Sequence, residues 1–194
     1  MSTTEEYDPK EALRRARARR PDPPEAPFTA EVRDAVDADV PHILEIYNHY
    51  VANSTVTFDE DPWTLAELRE KLEHVRKLGY PWLVATSPTG QVLGFAYVFP
   101  WKQKAAYRYT VENSIYLGPA ATGKGLGSLL LGELLDRARA AGVKEVLAVI
   151  ADHGADASLR LHERYGFKKV GEMGKVGFKF GRWLGTVMMQ KHLK

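Results

Sequence analysis

The segment from Glu112 to Asp152 constrains this chain more than any other. It reads ENSIYLG, a glycine-rich turn PAATGKGLG, then SLLLGELLDRARAAG and, after Val143, KEVLAVIAD. The first and last pieces are short apolar runs of strand length. Between them Leu126, Leu130, Leu134 and Ala138 recur at helical spacing, a stripe that would hold a helix on a sheet. Strand, helix and strand in that order imply a partly parallel sheet covered by helices.

The flanking sequence supplies more of the same. FTAEVRDAV alternates as a strand, and DADVPHILEIYNHYVAN carries helical spacing through Val40, Ile43, Ile46 and Tyr47, with Asp37 or Asp39 as its cap. TLAELREKLEHVRKLG is a helix beginning at a Thr64 cap, with Glu67 at capping-box spacing, and it stops at Gly79. PWLVATSPTGQVLGFAYVFPW reads as two strands about a Ser-Pro-Thr-Gly turn. ADASLRLHERYG is a further helix, and two strands fill Phe167 to Leu193. The class is α/β, a mixed central sheet flanked by helices with hairpins at both ends.

With 194 residues, 44% of them hydrophobic, one core is the expectation, and it falls in a domain over 28–194. Residues 1–27 differ: EALRRARARRPDPPEAP joins an arginine run to prolines 21, 23, 24 and 27, which block helix and sheet alike. They read as a disordered or frayed tail. Glu5, Glu6, Asp8 and Glu11 argue against a transit peptide. A net charge of +2 gives no global field for gripping nucleic acid. The absence of cysteine excludes disulfides, thiol nucleophiles, zinc–thiolate sites and iron–sulfur clusters. No apolar run approaches the roughly 20 residues that span a bilayer, and no secretory signal opens the chain, so a cytoplasmic protein without a membrane partner is expected. His42, His49, His74, His153 and His192 fit no metal spacing, and no metal is expected.

Two phosphate-binding patterns compete for the glycine turn. From Gly118 it nearly fits the ATP loop G-x-x-x-x-G-K-[ST], through Gly118, Gly123 and Lys124. Three features count against that reading. The magnesium-ligating hydroxyl position is Gly125, Pro119 removes an amide from the loop, and too little chain follows for a nucleotide-hydrolase sheet. The alternative needs less. Gly123, Gly125 and Gly127 let amides crowd a pyrophosphate, and the following helix adds its free amides and positive dipole end.

TGKGLG resembles the pyrophosphate loop R/Q-x-x-G-x-G/A of the GCN5-related N-acetyltransferases, and the resemblance extends over roughly Phe28 to Leu193. It is most similar to the phosphinothricin and methionine sulfoximine/sulfone branch. IYNHYVANSTVTFDEDPWT, YVFPWKQKAAYRYTVENSIYL, VLAVI, SLRLHERYGF and VGFKFGRWLGTVMMQ carry that likeness, in order. The resemblance implies acetyl-CoA as co-substrate. The backbone of Ile115, Tyr116 and Leu117 would pair with its pantetheine arm. Thr122, Gly123, Lys124, Gly125, Leu126 and Gly127 would hold the pyrophosphate, and Ser158 of SLRLH would contribute to the same site. Two positions depart from the pattern: Thr122 replaces the usual Arg or Gln, and Ala155 stands where the family often has a pantetheine-binding Asn.

The same resemblance assigns the chemistry. Glu112 would take a proton from the substrate ammonium, directly or through water. His162 stands in LHERYGF where much of the superfamily has Tyr, and would relay a proton or orient the substrate. Tyr116, facing inward with Ser114, would bond the thiolate or the substrate. Lys102, Lys104 and Tyr107 align with the family's substrate loop and suit an anionic amino acid; Phe58 would wall the pocket. The closing strands resemble those that build a two-fold dimer in the family, so a homodimer is expected. Three functions stay open at this point: N-acetylation of a small amino acid or analogue, a non-catalytic acyl-CoA sensor, and acetylation of another amine or a peptide.

Overall fold

The computed structural model describes residues 29–194, so the expected tail and the strand start at Phe28 lie outside the described residues. The seven strands are β1 (Glu31–Asp34), β2 (Trp82–Thr86), β3 (Val92–Pro100), β4 (Thr110–Leu117), β5 (Glu145–Ala151), β6 (Lys168–Lys179) and β7 (Arg182–His192). The four α-helices are α1 (Val40–Asn53), α2 (Leu65–Lys77), α3 (Leu126–Ala140) and α4 (Asp156–Arg164). One sheet runs β1-β2-β3-β4-β5-β7-β6. Every neighbouring pair is antiparallel except β4 and β5, the pair joined through the glycine turn and α3.

Each face of the sheet has its own core. The stripe expected on α3 is buried at Leu126, Leu130, Leu134 and Ala138, and it packs on Leu83, Ala96, Val98 and Val146. On the opposite face α1 and α2 bury Ile43, Leu68 and Leu72 against Trp82, Val84, Phe95 and Tyr97. A buried Leu or Ile of this kind contributes about 1.5–3 kcal/mol, so both faces are strongly held. Among the described residues no helix is long and apolar enough to cross a membrane.

Two helix starts behave differently. At α2 the Thr64 side chain accepts from the Glu67 amide while Glu67 Oε2 accepts from the Thr64 amide at 2.8 Å, the reciprocal box expected from the spacing. At α1 a 3-10 turn (Asp37–Asp39) precedes the helix, and Asp39, the residue at its cap, forms no capping bond. Its buried carboxylate turns back to Arg33, at 2.6 and 2.9 Å, and to the Val36 amide at 2.8 Å. Burial alone would raise the Asp39 carboxyl, and the Arg33 pair with the Val36 amide outweighs it, leaving it below its usual range. The salt bridge won over the cap because it ties β1 to the helix as well as satisfying an amide.

Candidate active site

The site begins where β4 and β5 part. Their parallel pairing covers only Thr110↔Glu145, Val111↔Val146 and Glu112↔Leu147. Past Glu112, β4 keeps β3 on one side and has no strand on the other. Which backbone groups face that opening follows from hydrogen bonds at either end. Gly118 N–H donates to Leu93 C=O and Trp101 N–H to Thr110 C=O, so even-numbered residues turn to β3. Lys144 and Glu145 N–H donate to Tyr109 C=O, so odd-numbered residues turn to β5. Backbone groups alternate sides along a strand; Asn113, Ile115 and Leu117 therefore present theirs to the split. Tyr50 Oη–H already donates to Leu117 C=O at 2.6 Å. The backbone of Tyr116 is turned to β3, which removes it from the expected set and leaves Ile115 and Leu117.

The glycine turn lies at the far end of β4. A 3-10 turn (Pro119–Ala121) leads to Thr122, whose hydroxyl donates to Pro119 C=O at 3.0 Å. Gly123 (φ 75°) and Gly125 (φ 80°) adopt left-handed conformations that side chains with a Cβ disfavour, and Gly125 caps α3. Leu126 and Gly127 are the first helical positions, whose amides have no acceptor within the helix. Gly123, Lys124 and Gly125 are exposed beside them. Gly127 has a second reason to be glycine: a Cβ there would stand 3.2 Å from Leu161 Cδ2, so it also sets how closely α3 approaches α4.

Glu112 and His162 sit on opposite faces of β4. Side chains alternate along a strand, so Glu112, Ser114 and Tyr116 face α1 and α2, while Val111, Asn113, Ile115 and Leu117 face α3 and α4. Glu112 is half-buried, and burial raises its carboxyl above the usual range against the opposing pull of Lys71 and Lys102. Lys71 extends from α2, donates to Tyr97 Oη at 2.9 Å, and lies 4.5 Å from the centre of the Trp63 ring. Tyr116 packs among Tyr47, Tyr50 and Phe95. Burial drives its phenol well above the usual range, so it keeps its proton and acts only as a donor or neutral acceptor.

His162 is 3% exposed. Its Nδ1 lies 2.8 Å from Ser158 C=O and its Nε2 lies 2.9 Å from Asn113 Nδ2. A carbonyl only accepts, so Nδ1 carries the proton and Nε2 accepts from the Asn113 amide. Burial lowers the imidazole's pKa, against a smaller opposing effect of the Ser158 carbonyl, which favours this neutral ring.

The expected substrate residues are more scattered. Lys102, Lys104 and Tyr107 are exposed in the connection between β3 and β4, with Lys102 Nζ 4.6 Å from the Trp101 ring centre. Of these three, Lys102 is the one whose charge acts on Glu112. Phe58 lies over Gly177 of β6, where a Cβ would come within 2.5 Å of its ring. Its neighbours turn toward Tyr116's surroundings: Asp59 Oδ2 accepts from Tyr47 Oη at 2.6 Å and from Trp63 Nε1 at 2.7 Å. Lys179, only 2% exposed, donates to Ser54 C=O and Thr57 C=O at 2.9 Å each and so ties this loop to β6. A groove of about 710 Å³ beside α2, lined by Trp63, Lys71, His74 and Phe99 among others, adjoins Glu112 through Phe99, its cross-strand partner. Sequence reasoning missed Lys71, Asn113 and Lys179; the last two lie within segments that carry the likeness, but only packing shows what each of the three touches. Among the described residues no cluster of His, Asp or Glu could hold a metal ion.

A split parallel pair beside a glycine-capped helix start has the shape to suit an extended ligand with a phosphate-bearing end. The chain belongs to the Acetyltransferase (GNAT) family, whose model matches residues 43–167. It is 44% identical over 166 residues to the L-methionine sulfoximine/L-methionine sulfone acetyltransferase of Pseudomonas aeruginosa, covering 86% of this chain and 96% of that protein. It is 41% identical over 162 residues to the phosphinothricin N-acetyltransferase of Alcaligenes faecalis, covering 84% and 82%. A solved phosphinothricin acetyltransferase from Sinorhizobium meliloti, in complex with AcCoA, superposes with a TM-score of 0.82 at 44% identity, covering 86% of this chain and 89% of that one.

Proposed function

We propose that this protein moves the acetyl group of acetyl-CoA to the amino group of a small amino acid or analogue, of the phosphinothricin or methionine sulfoximine/sulfone type, by direct attack in a ternary complex. The observation that carries this reading is the split itself: Glu112, a carboxylate raised by burial, stands at the last paired position of β4, beyond which the backbone of Asn113 and Ile115 faces the opening with no strand beside it. The relatives' names supply the substrate class.

The parts fit acetyl-CoA as co-substrate, which supplies an acyl carbon activated as a thioester. The amides at Gly123 to Gly127 suit its pyrophosphate. The odd-numbered backbone of β4 suits the amides of its pantetheine arm. Ser158 lines the same side on α4 through its bond to His162. Glu112 takes one proton from the incoming ammonium, and the freed lone pair attacks the acyl carbon. The C–N bond forms, the C–S bond breaks, and the thiolate leaves with a proton from the same amine or from water. A raised carboxyl is a stronger base than an ordinary one, which suits an ammonium. Lys71 and Lys102 oppose that rise and so favour the ionised form. Tyr116 lines the Glu112 side as a neutral hydroxyl. Lys102, the member of the expected substrate set whose charge acts on Glu112, suits the carboxylate of the substrate.

The reading extends to assembly. β6 is an edge strand, and with the following turn and β7 it exposes Val176, Phe178, Phe180 and Trp183, each more than half exposed. An apolar face of that kind suits a second copy of the chain; we propose a homodimer through it, acting in the cytoplasm. Varying both substrates in initial-rate kinetics tests the ternary complex. Intersecting double-reciprocal lines are expected, and parallel lines, the signature of an acetyl-enzyme, would refute it.

A further inference from the structure

Asn113 carries a buried side-chain acceptor at the split that has no partner among the described residues. It is 6% exposed and is the first residue of β4 past the end of the β4–β5 pairing. Its Nδ2 donates to His162 Nε2, yet its Oδ1 is buried with no hydrogen bond. The amide cannot simply be turned over. His162 Nδ1 lies 2.8 Å from Ser158 C=O and 3.4 Å from Ser158 Oγ, and the much shorter contact, to a group that only accepts, favours the proton on Nδ1. The neutral ring then offers a lone pair at Nε2, and a carbonyl oxygen facing it would meet another acceptor. Ser158, His162 and Asn113 thus form a chain with one polarity, ending in an acceptor that is held in place and lacks a donor. A buried acceptor left in that state is costly, and such groups usually mark a place that a ligand or water completes.

We propose that Asn113 is the residue through which His162 acts: its Oδ1 takes an amide N–H of the pantetheine arm as the arm passes through the split. This rests on the acetyl-CoA reading above. His162 is then a positioning residue whose proton stays on Nδ1, and no proton passes through it during transfer. The carboxamide acts as an acceptor that adds to the backbone groups of Ile115 and Leu117, and it lies near the reacting end because Glu112 is its neighbour in sequence.

The test uses calorimetry with acetyl-CoA and with two analogues, each having one pantetheine amide NH replaced by an ester oxygen. One analogue binds the unmodified protein about tenfold more weakly than acetyl-CoA, the loss of one hydrogen bond at a buried acceptor. In Asn113→Leu, acetyl-CoA binding weakens by a similar factor, and that same NH-to-O exchange then costs nothing further. The proposal is overturned if the unmodified protein binds both analogues as tightly as acetyl-CoA, or if Asn113→Leu suffers the same loss as the unmodified protein. Absence of any acetyl-CoA binding by the unmodified protein would instead bring down the acyl-CoA reading itself. A second measurement needs no variant: imidazole nitrogen shifts in ¹⁵N NMR at neutral pH should show His162 protonated on Nδ1 alone. A ring protonated on Nε2 would refute the chain of bonds.

Discussion

Replacing Glu112 by Gln keeps the shape of the side chain and removes its ability to accept a proton. A positioned general base contributes about 10²- to 10⁴-fold, or about 2.7–5.5 kcal/mol of barrier. Asp59, a carboxylate near Tyr116, is already engaged, its Oδ2 accepting from Tyr47 and Trp63. The fall in kcat/KM should therefore reach at least about 10²-fold, with acetyl-CoA affinity unchanged because the split and the glycine turn are untouched. The substitution should also act on stability in the opposite direction. A carboxyl whose folded pKa is raised favours the folded state below its unfolded value, and that contribution is lost as pH rises through the folded value. At neutral pH the ionised Glu112 is thus a burden, and Glu112→Gln should melt slightly higher than the native protein at pH 7. The gap should close below the ordinary carboxylate range, near pH 4. The assay is CoA release across pH 5 to 9, paired with calorimetry and thermal melts. A variant that keeps a third of its activity with an unchanged pH profile, or one that loses acetyl-CoA binding along with activity, would refute the reasoning.

Other consequences are equally direct. Lys102→Gln removes one of the two charges that hold the Glu112 carboxyl down, so the acidic limb of the kcat/KM profile should move to higher pH; an unmoved limb contradicts the pairing. Lys179→Met leaves the carbonyls of Ser54 and Thr57 buried without a donor, at about 1–3 kcal/mol each. It should lower the melting temperature and raise KM for the amino acid more than for acetyl-CoA, as read by melts and two-substrate kinetics. Gly125→Ala forces a Cβ into a left-handed position at about 1–2 kcal/mol, with a weaker acetyl-CoA affinity by calorimetry if the turn holds the pyrophosphate.

The order of elements was legible because periodicity tracks burial. The stripe on α3, the Thr64 box and the hairpin at Ser-Pro-Thr-Gly each follow from local residues, and each stands as the spacing implied. β6 shows why the rest was not legible. Its apolar residues Val176 and Phe178 are exposed while Lys179 is buried, the reverse of an amphipathic strand. An edge strand with an apolar outer face and a lysine satisfied by two distant carbonyls cannot be read from alternation. Asp39 looked like a cap and serves Arg33 instead, a choice made by contact between β1 and the start of α1. The site divides the same way. The glycine turn and Glu112 stand in recognisable segments, whereas the Asn113–His162 pair joins residues 49 positions apart and exists only once α4 packs beside β4.

The most direct measurement follows free CoA while the purified protein is mixed with acetyl-CoA and, in turn, phosphinothricin, methionine sulfoximine, methionine sulfone and the common amino acids. The account predicts sustained CoA release with one or more of the analogues and an N-acetylated product. Acetyl-CoA that binds tightly while no amine in the panel releases CoA would contradict it, and would make the split a sensor's cradle.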